Sequence, residues 1–255
     1  GADLFATPGA EPPRAPLADR MRPRSLAEVV GQEHLTGPGA VLRRAMDSGD
    51  VPSLICWGAP GSGKTTLARL LGQVPGYRAV HFSAVLAGVK DVRGVAQEAA
   101  VSRRSHGQRT LLFIDEVHRF NKAQQDALLP HVESGTIVLV GATTENPSFE
   151  VNSALLSRCH VFALGRLAAE HLRLLAHRAL EDAQRGLGAS GLQVEPAALE
   201  ALVEVSDGDA RQLYNALETL ASVVAPDAHG RRVVDRAGLR KLKGCVALAT
   251  DRAGE

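Results

Sequence analysis

Gly58-Ala59-Pro60-Gly61-Ser62-Gly63-Lys64-Thr65 is a glycine-rich run closed by a lysine and a hydroxyl residue. Its glycines let the backbone curl so that successive N–H groups converge on an anion. A helix opening at Lys64 adds the positive end of its dipole. The pattern G-x-x-x-x-G-K-[ST] suits a nucleotide: Lys64 reaches the β- and γ-phosphates, and Thr65 ligates Mg²⁺ through its hydroxyl. Thr66, next in the helix, belongs to the same binding run. About 50 residues downstream, Leu111-Leu112-Phe113-Ile114 runs into Asp115-Glu116. An apolar strand ending in two carboxylates places Asp115 at the sheet edge, where it can hold the Mg²⁺ shell. Glu116, one residue on, can orient or deprotonate an attacking water. The plain alternatives are a chance glycine turn and a solvated acidic turn. Together the two motifs make complementary halves of one Mg-nucleotide site. A polarised water favours hydrolysis over transfer to an acceptor.

These residues need a frame that brings two distant segments together. Short continuous apolar runs occur at Ser53–Trp57, Ala79–Phe82, Leu111–Ile114, Ile137–Val140 and His160–Leu164. Helical patterns fall between them at Thr65–Gly72, Val92–Arg104 and Lys122–Glu133, with Pro130 expected to bend or end the last. Continuous rather than alternating strands, interleaved with helices, predict a five-stranded parallel sheet covered on both faces, an α/β fold. After Gly165 the spacing becomes helical at Leu167–Arg185, Pro196–Val205 and Asp209–Val224, with no strand runs. The expected division is a flexible proline-rich lead-in (1–18), a nucleotide-binding α/β domain (19–165), a helical lid (166–226) and a connection (227–255), with a further helix over 236–249.

Composition sets outer limits. The 255 residues are 45% hydrophobic and 22% charged, enough for a buried core. Lys and Arg number 29 against 28 Asp and Glu, so net charge says nothing about nucleic acid. Cys56, Cys159 and Cys245 are isolated, which excludes a zinc cluster and fits a reducing compartment. No apolar run reaches membrane-spanning length. Arg231, Arg232, Arg236, Arg240, Lys241 and Lys243 cluster with only Asp235 opposing; a DNA-phosphate contact and a solvated face are equally open readings. His118, after the acidic pair, can link nucleotide state to DNA or be an ordinary packed or exposed histidine.

Several stretches occur in a telling order: Arg20-Met21-Arg22-Pro23, Val30-Gly31-Gln32-Glu33-His34, the phosphate loop, Ile114 to Asn121, and Gly141 to Phe149. Together they resemble the AAA+ ATPases of the clamp-loader clade. His118-Arg119-Phe120-Asn121-Lys122-Ala123-Gln124-Gln125-Asp126 and Thr144-Glu145-Asn146-Pro147-Ser148-Phe149 resemble, more narrowly, the replication-associated recombination protein A family. The likeness covers roughly residues 17–255.

The resemblance implies a Mg-dependent ATPase that binds ATP and ADP between the AAA+ sheet domain and the lid. Thr144, at the end of the fourth strand, resembles the polar sensor that holds the attacking water. Arg158, in Ser157-Arg158-Cys159, resembles the arginine finger that reaches a neighbouring subunit's nucleotide. Arg211 resembles the lid arginine that contacts the γ-phosphate in cis. Val30 and Gly31, with Val29, resemble the segment lining the adenine pocket. Single-stranded or forked DNA, a homotetramer in the full-length protein, and a single-strand DNA-binding protein are the implied partners. Action at stalled or damaged replication forks, in a cytoplasmic, nucleoid-associated setting, is the implied role. A clamp-loader subunit, or a nucleotide-binding DNA scaffold without turnover, is the alternative. Asp251–Glu255 resembles the junction before an oligomerisation domain, so weak self-assembly and low hydrolysis are expected of this chain alone.

Overall fold

In the computed structural model, residues 15–84 and 88–240 are described. The lead-in up to residue 14, Lys241, Lys243, Cys245, the end of the helix expected over 236–249, and Asp251–Glu255 lie outside the described residues. In chain order the elements begin with α1 (Leu17–Arg20), α2 (Glu33–Thr36), α3 (Val41–Ser48), β1 (Leu54–Gly58), α4 (Lys64–Leu71) and β2 (Tyr77–Ser83). There follow α5 (Val89–His106), β3 (Arg109–Asp115), α6 (Lys122–Glu133), β4 (Ile137–Thr143), α7 (Pro147–Glu150), α8 (Ser153–Leu156) and β5 (His160–Leu164). The last are α9 (Ala169–Glu181), β6 (Leu192–Val194), α10 (Pro196–Ser206), α11 (Ala210–Val223) and β7 (Arg232–Val234).

Five strands form one parallel sheet in the order β2-β3-β4-β1-β5. Alternate residues of β1, β3 and β4 feed two separate apolar layers. Leu54, Cys56, Leu111, Phe113, Val138 and Val140 pack with Leu42, Leu67, Leu70 and Leu71 on one face. Ile55, Leu112, Ile114, Ile137 and Leu139 pack with Val92, Ala96, Ala99, Leu128 and Val132 on the other. Two covered faces explain why the strands read as unbroken apolar runs. Central β4 is buried at every residue. Cys56 is buried in this core, and burial pushes its thiol up to about 12, so it stays protonated and inert.

The helical unit is built on a third apolar cluster. Leu172, Leu175, Ala176 and Ala179 of α9 meet Leu199, Leu202 and Val203 of α10 and Leu213, Leu217 and Leu220 of α11.

Several expectations need correcting. Leu17 and Met21 belong to the lid cluster rather than to a loose lead-in or to the sheet domain. Leu17 N–H donates to Glu218 Oε1 at 3.0 Å, and Arg20 Nη1 donates to the Arg185 carbonyl at 2.6 Å and the Gly186 carbonyl at 3.0 Å. The region after Gly165 does contain strands: β6 and β7 pair in parallel. At three residues each they are too short to show periodicity, and β7 lies in the stretch read as a turn-rich connection. Helix α9 stops at Glu181 rather than Arg185, because Asp182 Oδ1 accepts from Gln184 N–H at 2.9 Å and Arg185 N–H at 2.8 Å. Helix α6 continues through Pro130 to Glu133.

Leu17→Ala tests the placement of α1. Leu17 is fully buried, so truncation is expected to destabilise the chain by about 2–5 kcal/mol in denaturant titration. A loss under about 1 kcal/mol, the scale of an exposed site, would show that α1 is no part of the helical core.

Candidate nucleotide-binding site

The strand order positions the chemistry. Because β4 lies between β1 and β3, the segment after β4 arrives between the phosphate loop and the acidic pair, all at the carboxyl edge. Gly61 and Gly63 take positive φ of 68° and 104°, a conformation that glycine adopts without steric cost. Gly63 stands at the N-cap of α4 with no side-chain cap, so the first N–H groups of that helix remain for an anion.

A cavity of about 510 Å³ opens here between the sheet and the lid. Pro60, Gly61, Ser62, Gly63, Lys64, Thr65 and Thr66 form its floor. Asp115, Glu116 and Thr144 close one side. Arg211, Asp209, Tyr214 and Asn215 come from the lid, and Val29, Val30 and Arg22 from the segment before β1. The cavity does not include Gly31, Gly58, Ala59 or Arg158 among its walls. Gly31 sits behind Val30, with φ +77°, where a Cβ would meet Leu167 at 2.6 Å and His171 at 2.9 Å. The carbonyls of Gly58 and Ala59 each accept from Lys64 Nζ at 2.8 Å.

Lys64 is thus parked on its own loop. Burial lowers its affinity for its proton, while Glu116 and Asp115 oppose that shift. Thr65 Oγ1 lies 3.5 Å from Asp115 Oδ2, the hydroxyl donating. The two residues expected to share a divalent cation therefore already face each other, and the donor set of one hydroxyl and one carboxylate suits Mg²⁺. Arg22 Nε is buried without a hydrogen-bond partner, while Nη1 donates to Thr66 Oγ1 at 3.3 Å. An orphaned guanidinium nitrogen beside the phosphate loop is what a polyphosphate would satisfy.

The lid is joined to the loop at one tight place. Asp209 caps α11, its Oδ1 accepting from Arg211 N–H at 2.7 Å and Gln212 N–H at 3.2 Å. The same carboxylate abuts Gly61: a Cβ there would lie 1.8 Å from Asp209 Oδ1 and 2.9 Å from Asp209 Cα. Gln32, fully buried, adds a second tie. Its Nε2 donates to the Ser62 carbonyl at 3.3 Å and to the Gly165 carbonyl at 2.8 Å.

Arg158 lies elsewhere. Nη1 donates to the Ala154 carbonyl at 2.7 Å and Ser157 Oγ at 2.9 Å, and Nη2 pairs with Glu133. Burial pushes the neighbouring Cys159 thiol up to about 12. Of the basic cluster, Arg231 is paired with Asp227 at 3.0 Å and Arg232 donates to the Ser190 carbonyl.

The sequence alone gives no role to Arg22, Gln32, Tyr214 or Asn215, and gives Asp209 only the cap of the helix that carries Arg211, which the structure shows. Tyr214 and Asn215 stand three and four residues after Arg211 on one helix, hence on the same face; that spacing was the available signal. Gly61→Ala tests the lid contact. The side chain would strike Asp209 and strain a left-handed backbone by about 1–2 kcal/mol. ATP affinity in calorimetry is expected to fall about tenfold or more, the equivalent of 1.4 kcal/mol. Unchanged affinity would show that the loop need not meet Asp209.

Residues 54–166 match the ATPase family associated with various cellular activities (AAA), and residues 188–255 match the AAA C-terminal domain. Replication-associated recombination protein A of Coxiella burnetii is 50% identical over 240 residues, covering 94% of this chain and 54% of that protein. The Escherichia coli K12 protein of the same name is 46% identical with the same coverage. The chain therefore spans about half the length of the curated relatives it matches. Among solved structures, the Thermotoga maritima RuvB Holliday junction branch migration motor superposes with a TM-score of 0.70 at 25% identity, over 88% of this chain and 73% of that one. Identity of this order through both the sheet and the lid makes the chain a member of the AAA+ ATPases, in the replication-associated recombination protein A family.

Proposed function

We propose that the chain hydrolyses Mg-ATP and that the protein it represents couples hydrolysis to remodelling of single-stranded or forked DNA at stalled or damaged replication forks. One observation carries the ATPase reading. Lys64, Thr65, Asp115, Glu116 and Thr144 from the sheet and Arg211 from the lid surround a single cavity. The relatives are named for recombination, and RuvB is a Holliday junction branch migration motor; both support DNA as the partner. The family likeness supports a homo-oligomer, a single-strand DNA-binding protein as a further partner, and a cytoplasmic, nucleoid-associated setting.

The cavity's charges support a divalent cation. Arg22, Lys64 and Arg211 face Asp115, Glu116 and Asp209, three of each sign. A polyphosphate entering alone would leave the site strongly negative. Thr65 and Asp115 are the residues that would hold Mg²⁺, which offsets phosphate charge and fixes the geometry of the chain. Lys64 exchanges its two loop carbonyls for phosphate oxygens. Glu116 takes a proton from the attacking water at its carboxylate, and Thr144 orients that water. Val29 and Val30 offer an apolar face to the base. Arg211 enters from the lid, so closure of the lid and contact with the γ-phosphate are one event. Arg158, held at the surface by Glu133, is placed outside its own site and acts on a neighbouring subunit.

The test is ATPase activity with Mg²⁺ and single-stranded, duplex or forked DNA, with nucleotide affinity measured in parallel. Lys64→Ala is expected to abolish tight ATP binding. Glu116→Gln is expected to bind ATP normally and hydrolyse it about 10²–10⁴-fold more slowly; hydrolysis at the normal rate would refute the base assignment. Arg158→Ala is expected to spare binding and lower turnover only in assembled protein, by about 10³-fold or more. Turnover in no condition, DNA included, would leave nucleotide binding without hydrolysis and overturn the enzyme reading.

A further inference from the structure

Glu116 does not stand alone at the cleft. Its Oε2 lies 3.4 Å from His118 Nε2. The opposite ring nitrogen, Nδ1, lies 2.9 Å from Thr143 Oγ1. Thr143 is fully buried at the last position of β4. Its hydroxyl donates to the Glu145 carbonyl at 3.2 Å, and its oxygen accepts from Glu145 N–H at 3.0 Å. A hydroxyl carries one proton. With that proton directed at Glu145, the Thr143 oxygen meets His118 as an acceptor, so Nδ1 is the donor. With a proton on each nitrogen, the ring donates from Nδ1 to Thr143 and from Nε2 to the Glu116 carboxylate.

We propose that His118 is a positioning residue for Glu116: it holds one carboxylate oxygen, leaves the other for the cavity that Glu116 lines, and ties that carboxylate to the turn after β4. The inference rests on the reading of Glu116 as the base. Nothing in the phosphate loop performs this task, since Lys64 is bound to loop carbonyls and Asp115 accepts from Thr65. The tie leads outward as well. Glu145 is followed by α7, where Gln125 Nε2 donates to the Glu150 carbonyl at 3.1 Å and where Phe149 is 84% exposed. A shift of that surface turn moves Thr143, then the imidazole, then Glu116.

The variants separate the two ring nitrogens. A glutamine amide nitrogen takes the place of Nε2, and an asparagine amide nitrogen takes the place of Nδ1. His118→Ala is expected to lower kcat about tenfold or more while ATP Kd stays within about threefold, the signature of lost orientation rather than lost binding. His118→Gln is expected to recover kcat to within about threefold of the parent, and His118→Asn is not. Thr143→Val is expected to lower kcat alone and to add nothing to His118→Ala, because both break one chain. Ring ¹⁵N spectra supply a readout independent of turnover: the His118 nitrogens are expected to shift in Glu116→Gln, with melting curves confirming that each variant folds. If Glu116→Gln is inactive but His118→Ala keeps kcat within about twofold, the proposal fails and the base assignment stands. Identical His118 ring signals in the parent and Glu116→Gln overturn it as well. Full activity in Glu116→Gln removes the base assignment itself, and the positioning role with it.

Discussion

The site depends on the interposition of β4 between β1 and β3. A phosphate loop after β1 and a carboxylate pair after β3 are separated by one full strand, about 4.8 Å to each neighbour. That gap is what lets a third segment enter between them. Thr143 and Thr144 fill it, one turned into the protein toward His118 and the other lining the cavity. A neighbouring β1 and β3 would have left no room for the intervening hydroxyls. At that central position β4 is buried at every residue.

The cleft has a second wall only because the lid is gripped at a few close contacts. Gly61 against Asp209 is the closest of them, and it couples two functions in one residue. Asp209 caps α11 and therefore fixes the first turn, where Arg211 sits. The same side chain touches the loop that would receive phosphate. Gln32 spans the Ser62 carbonyl and Gly165 at the domain junction. The paired arginines near the start of the described chain divide the work: Arg20 faces the lid, and Arg22 faces the cleft. α1 packs in the lid core while the residues that follow it line the nucleotide cavity. The helical domain is thus joined to the cavity through α1 and through Asp209.

What the sequence reveals depends on how many residues share one physical cause. The inner strands β1, β3 and β4 are the most legible because two covered faces make nearly every position apolar, whereas β2 and β5 at the edges are more exposed. The phosphate loop is legible because backbone curvature, dipole and charge each demand a particular residue type at a fixed spacing. β6 and β7 escape notice because three residues give no period. α1 escapes because four residues carry one buried leucine, Leu17, and the proline-rich sequence before it suggests a loose tail. Arg22, Asp209 and Tyr214 are ordinary residues whose roles arise from where the lid docks, and a linear pattern does not contain that contact. Arg158 shows a related gap. Its type and neighbours are readable, whereas its tether to Glu133 joins α6 to the turn after α8 and exists only in the fold.

The backbone at Glu116 shows how apolar packing fixes a polar geometry. Glu116 takes φ 55°, one of two non-glycine residues with positive φ among those described. A non-glycine residue in this region costs on the order of 1–2 kcal/mol. The next residue, Val117, is fully buried and lies against Gly141 of β4, where a Cβ would approach Val117 Cγ1 to 3.3 Å. Burying a valine contributes about 1.5–3 kcal/mol, enough to hold the unfavourable turn. A side chain at position 141 would press equally on Ile55 Cγ1 and Val117 Cγ1, both at 3.3 Å, the latter belonging to the residue that anchors the turn after Glu116. The carboxylate is aimed, in this sense, by a valine and by a glycine on the neighbouring strand.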